Sequence, residues 1–216
     1  MIVAFFGPDG VGKTTLAKLL ARYLLSRGFN VYYVRFKAHH LGMYLLIKFL
    51  QQIGIIRNIN SPRILNCALK RYFNKSKMFV YFELLNGIVW LLLNIKLKAL
   101  LTGKKIIVAE RYIPDFITST LLISPNKNTF NRLLRILKPF AHGVVFIFLY
   151  ANVSDILKRK REELLSYSYI KTLLHAYMFT AIFINVDLHL NTSKYDINKS
   201  FYLVKKIINS KVKQNT

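Results

Sequence analysis

The stretch Gly7-Pro8-Asp9-Gly10-Val11-Gly12-Lys13-Thr14-Thr15 lies directly behind the apolar run Ile2–Phe6. It fits the spacing G-x-x-x-x-G-K-[ST] of a phosphate-binding loop. In such a loop, glycines let backbone N–H groups turn towards an anion, and the helix that follows adds the positive end of its dipole. Lys13 would reach the outer phosphates, and the Thr14 hydroxyl would bind Mg²⁺. The sequence therefore predicts that residues 7–15 bind ATP with Mg²⁺.

The residues on either side of the loop supply the context that the motif requires. The run before it is typical of a buried strand, and after it Leu16, Leu19, Leu20 and Leu24 recur at helical spacing. Gly28 then indicates the end of the helix. Because strand, loop and helix follow in this order, we interpret the motif as a nucleotide site and not as a glycine-rich turn.

Length and composition are those of a globular protein. The 216 residues fit one domain, and we predict a single domain over 1–216. Hydrophobic residues make up 53% of the chain, which excludes a disordered protein. The single cysteine, Cys67, excludes an internal disulfide framework and favours a cytoplasmic location. The most membrane-like stretch, 78–93, is too short to span a bilayer.

The net charge of +24, from 33 basic and 9 acidic residues, is unusually large. Substrates that carry phosphate account for part of it, and non-specific binding of other anions is expected. The lysines and arginines are scattered, and no aromatic-basic block indicates a nucleic-acid module. We therefore expect no dedicated nucleic-acid or membrane site.

Apolar runs typical of parallel strands occur at 2–6, 31–35, 105–110, 143–149 and about 183–190. Helical patterns separate them, and this alternation predicts a doubly wound α/β sheet. A long apolar helix at 77–101 offers a possible homodimer face. The last helix is expected over about 194–208, with a polar tail at 209–216 that frays.

Two of the predicted strands end in residues that suit phosphate chemistry. The third strand ends in Glu110-Arg111-Tyr112, and the second ends in Arg35. Ligands of open α/β sheets bind beyond the carboxyl ends of the strands, so these side chains are expected near the phosphate loop. Glu110 can hold Mg²⁺ directly or through water, and both arginines can bind phosphate. The alternatives are a surface ion pair for Glu110 and Arg111 and a surface charge for Arg35.

The loop at 7–15, followed about a hundred residues later by an acidic-Arg-Tyr motif, resembles the thymidylate kinase family of P-loop nucleoside-monophosphate kinases. The likeness extends over most of the chain. It implies a P-loop NTPase fold, with three α/β/α layers and a five-stranded parallel sheet in the order 2-3-1-4-5. It also implies a short lid over about 158–170. The family's motif usually reads Asp-Arg-Tyr, so Glu110 departs from it by one methylene group.

The resemblance also implies roles for individual residues. Asp9 would lie near the acceptor's sugar and phosphate, and the acceptor phosphate would be bound by Arg35, with Arg111 and Tyr112 beside it. Arg159, in the basic cluster 158–161, would be the lid arginine that stabilises the charge of the transition state. A solvated helix face is the alternative for that cluster. The candidate catalytic residues are Lys13, Asp9, Arg111 and Arg159.

The predicted activity is the phosphorylation of a nucleoside monophosphate by ATP, with dTMP as the implied acceptor and dTDP as the product. A deoxynucleoside kinase is one alternative, because Glu110-Arg111 also resembles the Glu-Arg-Ser motif of those enzymes. Such a kinase would profit from a carboxylate base where Arg35 stands, and an arginine cannot be that base. A non-catalytic P-loop protein that binds ATP and nucleic acid is the second alternative.

Overall fold

The computed structural model describes residues 1–35, 106–123, 127–160 and 166–214, together with Gln52 and Ile88. Within these residues, five strands form one parallel sheet in the order β2-β3-β1-β4-β5. They are β1 (Ile2–Phe6), β2 (Val31–Arg35), β3 (Ile106–Glu110), β4 (Val144–Tyr150) and β5 (Leu188–Asn191). The predicted fold class and the strand order 2-3-1-4-5 are confirmed.

Helices cover both faces of the sheet. Those in the described ranges are α1 (Lys13–Ser26), α2 (Ile113–Ile123), α3 (Lys127–Ala141), α4 (Val153–Arg159), α5 (Tyr167–Phe183) and α6 (Ile197–Gln214). Short polar side chains begin two of them. The Ser166 hydroxyl accepts a hydrogen bond from the Tyr169 amide at 3.2 Å before α5, and Asp196 accepts one from the Lys199 amide at 2.7 Å before α6.

The central strand β1 explains why the fold has three layers. Its residues Val3 to Phe6 are completely buried, and alternate side chains point to opposite faces of the sheet. Ala4 and Phe6 pack with α2, α3 and α5, whereas Val3 and Phe5 pack with α1 and α6. Phe6 also stacks on Phe148 of β4, with ring centroids 5.0 Å apart. Two apolar cores therefore enclose the sheet.

The C-terminal part differs from the sequence prediction in two places. The strand expected at about 183–190 is shorter and later, because α5 continues to Phe183 and β5 begins at Leu188. The last helix runs to Gln214 and the expected fraying from 209 is wrong. Tertiary contacts hold this end: the Asn209 amide donates to the Tyr23 hydroxyl at 3.1 Å, and Lys211 pairs with Asp187 at 3.0 Å.

Some predictions concern residues outside the described ranges. These are the helix at 77–101, with its homodimer face, and the central part of the lid, 161–165. The flanks of the predicted lid are helical, since Lys158 and Arg159 end α4 and residues 167–170 begin α5. Among the helices that are described, none is both long and apolar enough to cross a membrane.

Among the glycines that the structure describes, Gly7 is the one where a side chain is least compatible with the backbone. Its φ is +138°, and a Cβ would lie 2.0 Å from the Leu149 carbonyl oxygen.

We predict that Gly7→Ala lowers the free energy of unfolding by about 3 kcal/mol or more, because left-handed strain adds to a backbone clash. Gly28→Ala is the matched control. Gly28 has φ +80° with no described atom within 4 Å of its Cβ, and the substitution should cost only about 1 kcal/mol. Urea unfolding followed by circular dichroism measures both losses, and equal losses would contradict the clash.

Candidate functional site

The carboxyl ends of β1, β2 and β3 meet because the strands are parallel and in register. Glu110, the last residue of β3, is paired with Phe5 of β1 and with Arg35 of β2. Arg111 follows directly, and its amide donates to the Phe5 carbonyl at 2.8 Å. The phosphate loop begins just beyond β1. Sheet register therefore brings Arg35, Glu110 and Arg111 beside that loop.

The loop between β1 and α1 is shaped by glycines in left-handed conformations. Gly10 and Gly12 have φ values of +91° and +86°. Gly12 immediately precedes α1, and no side chain in the described part of the chain caps this end of the helix. The first N–H groups of an α-helix have no partner within the helix. At α1 they are therefore available to an anion.

Lys13 is folded into the loop, and only 4% of it is exposed. Its Nζ donates to the Gly7 carbonyl at 2.7 Å and to the Pro8 carbonyl at 2.6 Å, and it lies 3.3 Å from Oδ1 of Asp9. Burial lowers the pKa of Lys13, and the attraction of the Asp9 and Asp115 carboxylates opposes that shift. Oxygen atoms of the loop thus surround the ammonium group.

Glu110 is a buried carboxylate whose exposed fraction is 1%. Its Oε1 accepts a hydrogen bond from the Thr14 hydroxyl at 2.7 Å and lies 3.2 Å from Nε of Arg35. Its Oε2 accepts a hydrogen bond from the Tyr33 hydroxyl at 2.6 Å. Burial, together with this contact to a carboxylate, raises the pKa of the Tyr33 hydroxyl. One carboxylate therefore ties α1 and β2 to β3.

Arg111 adopts φ +67°, a left-handed conformation that is uncommon for a residue other than glycine. Its Nη2 donates to Oδ1 of Asp9, which therefore lies between Arg111 and Lys13. Burial favours the neutral form of Asp9. The charges of Lys13 and Arg111 and their hydrogen bonds outweigh this effect and hold the pKa of the Asp9 carboxyl well below its usual value. Asp9 is consequently ionised at neutral pH.

A second buried carboxylate, Asp115, lies behind Arg111. Its Oδ1 accepts a hydrogen bond from the Tyr177 hydroxyl at 2.8 Å, and its Oδ2 accepts one from the Tyr112 amide at 3.1 Å. Burial raises the pKa of Asp115, against the charges of Arg111 and Lys13. No sequence prediction assigned Asp115 to the site. The spacing of Arg111 and Asp115 is the signal that points to it, because the first turn of α2 brings Asp115 back towards the strand end.

Arg159 lies on the opposite side of the loop, at the end of α4. Its guanidinium donates to the Gly10 carbonyl at 3.2 Å, to the Thr192 hydroxyl at 3.1 Å and to the Thr192 carbonyl at 2.8 Å. These bonds connect α4 to the phosphate loop and to the segment after β5. Arg159 therefore lies beside the phosphate loop.

These groups line one cleft of about 1030 Å³. Residues 9–15 form its floor, with Arg35, Glu110 and Arg111 on one side and Arg159 and Lys160 on the other. Gly7 and Pro8 form the rear of the loop, where their carbonyls bind Lys13. The structure thus brings together nearly all of the predicted site residues.

The residues that follow β5 form a further wall of the cleft, which sequence reasoning missed. This wall comprises 192–197 and Ser200. The same rule that located Glu110, that ligands bind beyond the carboxyl ends of strands, applies to this segment. The predicted strand ends at about 190, one residue before the observed end at Asn191, but no motif in 192–197 points to a ligand.

Tyr112 is the predicted substrate-binding residue that the structure does not place in the cleft. Its ring packs 6.2 Å from that of Phe146, between centroids, and its hydroxyl donates to the Phe140 carbonyl at 3.1 Å. Burial raises the pKa of Tyr112 to about 12. The left-handed conformation of Arg111 turns the following residue into the core. Tyr112 therefore packs behind the site.

Comparison with protein families finds a match at the phosphate loop. Residues 3–67 match the model described as ATPase family associated with various cellular activities (AAA). This match covers less than half of the chain and includes the whole loop. None of the curated protein sequences matches the chain. The family match supports nucleotide binding at Gly7–Thr15.

Two solved structures are similar over nearly the whole chain. One is a thymidylate kinase from Candida albicans, with a TM-score of 0.61, 18% identity and coverage of 97% of this chain and 91% of that chain. The other is a thymidylate kinase from Ehrlichia chaffeensis, with a TM-score of 0.57, 18% identity and coverage of 96% and 98%. At this identity the similarity establishes the fold. The chain has the P-loop NTPase fold that these thymidylate kinases share.

Tyr33→Phe removes the hydrogen bond that Oε2 of the buried Glu110 accepts. We predict that the free energy of unfolding falls by about 1.5–3 kcal/mol, the usual contribution of a hydrogen bond to a charged group. Tyr167→Phe is the control, because Tyr167 is 58% exposed on α5 and its substitution should cost less than about 0.5 kcal/mol. Urea unfolding at neutral pH measures both. A loss no larger than that of the control would show that Tyr33 does not hold Glu110.

Proposed function

We propose that this protein transfers the γ-phosphoryl group of ATP to a nucleoside monophosphate, and that dTMP is the acceptor. The observation that carries the proposal is the position of the phosphate loop between two cationic groups in one cleft. Arg35 and Arg111 lie on the side of β2 and β3, and Arg159 and Lys160 lie on the side of α4. Two groups of cations match two substrates that both carry phosphate and meet at the loop.

The donor half of the cleft consists of residues 7–15 and Arg159. In the proposed reaction, the loop amides and Lys13 cradle the phosphates of ATP. Arg159 stabilises the negative charge on the transferred phosphoryl group. Because hydrogen bonds to Gly10 and Thr192 already fix its guanidinium, little side-chain entropy is lost when it binds.

Mg²⁺ would be held by Thr14 and Glu110. Both residues supply oxygen, the ligand that Mg²⁺ prefers, and Oγ1 of Thr14 lies 2.7 Å from Oε1 of Glu110, so the residues present fit the ion. When bound, Mg²⁺ neutralises charge on the phosphates. Tyr33 and Arg35 also engage the Glu110 carboxylate. Its proposed role is therefore to orient the Thr14 hydroxyl and to place negative charge beside the ion.

The acceptor half is built from arginines that are paired with carboxylates. Arg35 is paired with Glu110, and Arg111 with Asp9. Both side chains reach the cleft, and a guanidinium binds a phosphate group through two parallel hydrogen bonds. In the proposal, Arg35 and Arg111 hold the acceptor phosphate in line with ATP, and Asp9 orients the rest of the acceptor.

The same residues favour a monophosphate over a neutral nucleoside as the acceptor. A nucleoside kinase needs a base to remove the proton of a hydroxyl group, and Arg35 cannot accept that proton. Asp9 is a weak base, because Lys13 and Arg111 hold the pKa of its carboxyl low. The nucleobase is a separate question. The Candida albicans thymidylate kinase is described as having broad substrate specificity, so several bases need to be compared.

ADP release measured with ATP and Mg²⁺ against a panel of nucleosides and nucleoside monophosphates tests the proposal. We expect dTMP to stimulate ADP release and thymidine to have no effect. Lys13→Ala should lower turnover by at least about a hundredfold, because the charge that binds the outer phosphates is lost, while circular dichroism shows an intact fold. Stimulation by thymidine alone would identify a nucleoside kinase. A panel without any active acceptor would favour the non-catalytic P-loop alternative.

Arg35→Gln distinguishes the acceptor half of the cleft from the donor half. We expect the KM for dTMP to rise by about 10- to 100-fold, the effect of losing a hydrogen-bonded charge, while the KM for ATP changes by less than about twofold. Arg135→Gln is the control, since Arg135 is exposed on α3, outside the cleft. Steady-state kinetics with each substrate varied in turn measures both values. An unchanged KM for dTMP would remove Arg35 from the acceptor site.

A further inference from the structure

A second basic surface lies on α1 and α6, apart from the nucleotide cleft. Apart from Lys13, which is folded into the phosphate loop, these two helices carry seven basic residues and no acidic residue. Tyr23, in the middle of this surface, follows Lys13 by ten residues of the same helix. At 1.5 Å per residue this is a distance of about 15 Å along α1 from the phosphate loop. The surface is therefore separate from the proposed reaction.

A groove of about 440 Å³ lies between the two helices on this surface. We call it the α1–α6 groove, and it is lined by Tyr23, Tyr202, Lys205, Lys206, Asn209 and Ser210. The α6 members are three and four residues apart and form one stripe of the helix, opposite Tyr23 on α1. Among the described residues that line it, none is acidic. The groove thus combines aromatic rings with positive charge.

Tyr23 organises the interior of the groove. Its hydroxyl accepts a hydrogen bond from Nη1 of Arg27 at 3.1 Å and another from the Asn209 amide at 3.1 Å. Its ring meets the Phe201 ring edge to face, with centroids 6.1 Å apart. Nζ of Lys205 lies 5.5 Å from the centroid of the Tyr23 ring and 5.0 Å from that of Phe201. These cation–π contacts hold Lys205 in one place.

Tyr202 and Lys206 form the open rim of the groove. Tyr202 is 59% exposed, and the exposed side chain of Lys206 lies one helical turn further along. An accessible ring beside ordered cations is how proteins bind single strands without sequence preference, because the ring stacks on a base and the cations contact the phosphates. The 440 Å³ groove provides a concave space for an unstacked base.

Two other anionic partners fit these residues less well. In a duplex the bases are stacked on one another, so Tyr202 would have no base face to contact. An anionic lipid surface is bound through apolar side chains that enter the bilayer. In the groove, Nζ of Lys205 lies over the rings of Tyr23 and Phe201. This charge occupies the position where binding to a lipid surface would need exposed apolar groups.

We propose that the α1–α6 groove binds single-stranded nucleic acid, with Tyr202 stacked on a base and with Arg27 and Lys206 at the phosphates. This goes beyond the proposed kinase reaction and does not depend on it. No local pattern in the sequence indicates this groove, because its basic residues are scattered along the chain. The fold assembles the site from helices at opposite ends of the sequence.

Fluorescence anisotropy of a labelled oligothymidylate of about 20 nucleotides, titrated with the full chain over a series of salt concentrations, tests the proposal. We expect Tyr202→Ala to weaken binding by about 5- to 100-fold, the effect of losing one stacked base. Lys206→Gln should reduce the slope of log K against log salt by about 0.7. Tyr167→Ala and Lys171→Gln are matched controls on α5, since Tyr167 is 58% exposed and Lys171 is also exposed. Both controls should bind within about twofold of the unsubstituted chain.

Competition and activity measurements distinguish binding in the α1–α6 groove from binding in the nucleotide cleft. They also distinguish a single strand from other anionic ligands. Unlabelled oligothymidylate should displace the probe, whereas dTMP, a duplex of the same length and phosphatidylglycerol vesicles should not displace it at equal phosphate concentration. Tyr202→Ala should keep its ADP release, and Lys13→Ala should keep its oligonucleotide binding. Loss of oligonucleotide binding in Lys13→Ala would place the strand in the nucleotide cleft and overturn the proposal. Equal weakening by Tyr202→Ala and Tyr167→Ala, or displacement by the duplex, dTMP or vesicles, would also overturn it.

Discussion

The rest of the site depends on the hydrogen bonds and the ion pair of the Glu110 carboxylate. A buried charged group is stable only when each of its oxygens has a partner. Thr14 on α1 and Tyr33 and Arg35 on β2 provide these partners. The hydrogen bond to Thr14 fixes the first turn of α1, and hence the end of the phosphate loop, against the sheet. The contacts to Tyr33 and Arg35 hold the end of β2 beside β3. One buried charge thus aligns the parts that would bind donor and acceptor.

A second charged group, around Arg111, links the site to the helices behind the sheet. Arg111 meets Asp9 in front, and the buried Asp115 lies behind it, joined to α5 by the Tyr177 hydroxyl. The charges of Lys13 and Arg111 hold the pKa of Asp9 low despite its burial, whereas burial raises the pKa of Asp115. Strong shifts of this kind, combined with a left-handed Arg111 at a strand end, are typical of functional sites. Asp115 therefore connects the packed helices α2 and α5 to the residues of the cleft.

Positive charge is used differently in the cleft and on the α1–α6 surface. In the cleft, Lys13, Arg35 and Arg111 are paired with carboxylates, and phosphate would compete with those carboxylates. On the α1–α6 surface, no acidic residue belongs to either helix, and aromatic rings hold Lys205. A ligand that binds a paired cation must displace its carboxylate in a fixed geometry. The cleft therefore favours a ligand of defined shape. Positive charge spread over a helical surface attracts polyanions over a longer range.

Local patterns in the sequence are enough to predict the strand–loop–helix at Gly7–Thr15, the parallel sheet and the strand-end positions of Arg35, Glu110 and Arg111. These follow from local rules, since glycine spacing, apolar runs and helical periodicity depend on residues that are close in the chain. Four features become visible only once the chain is folded. Tyr33 binds Glu110, Tyr112 enters the core, the segment after β5 forms a wall of the cleft, and Tyr23 and Tyr202 share a groove. Each of these depends on register or on packing between elements far apart in sequence, and no local pattern records such contacts.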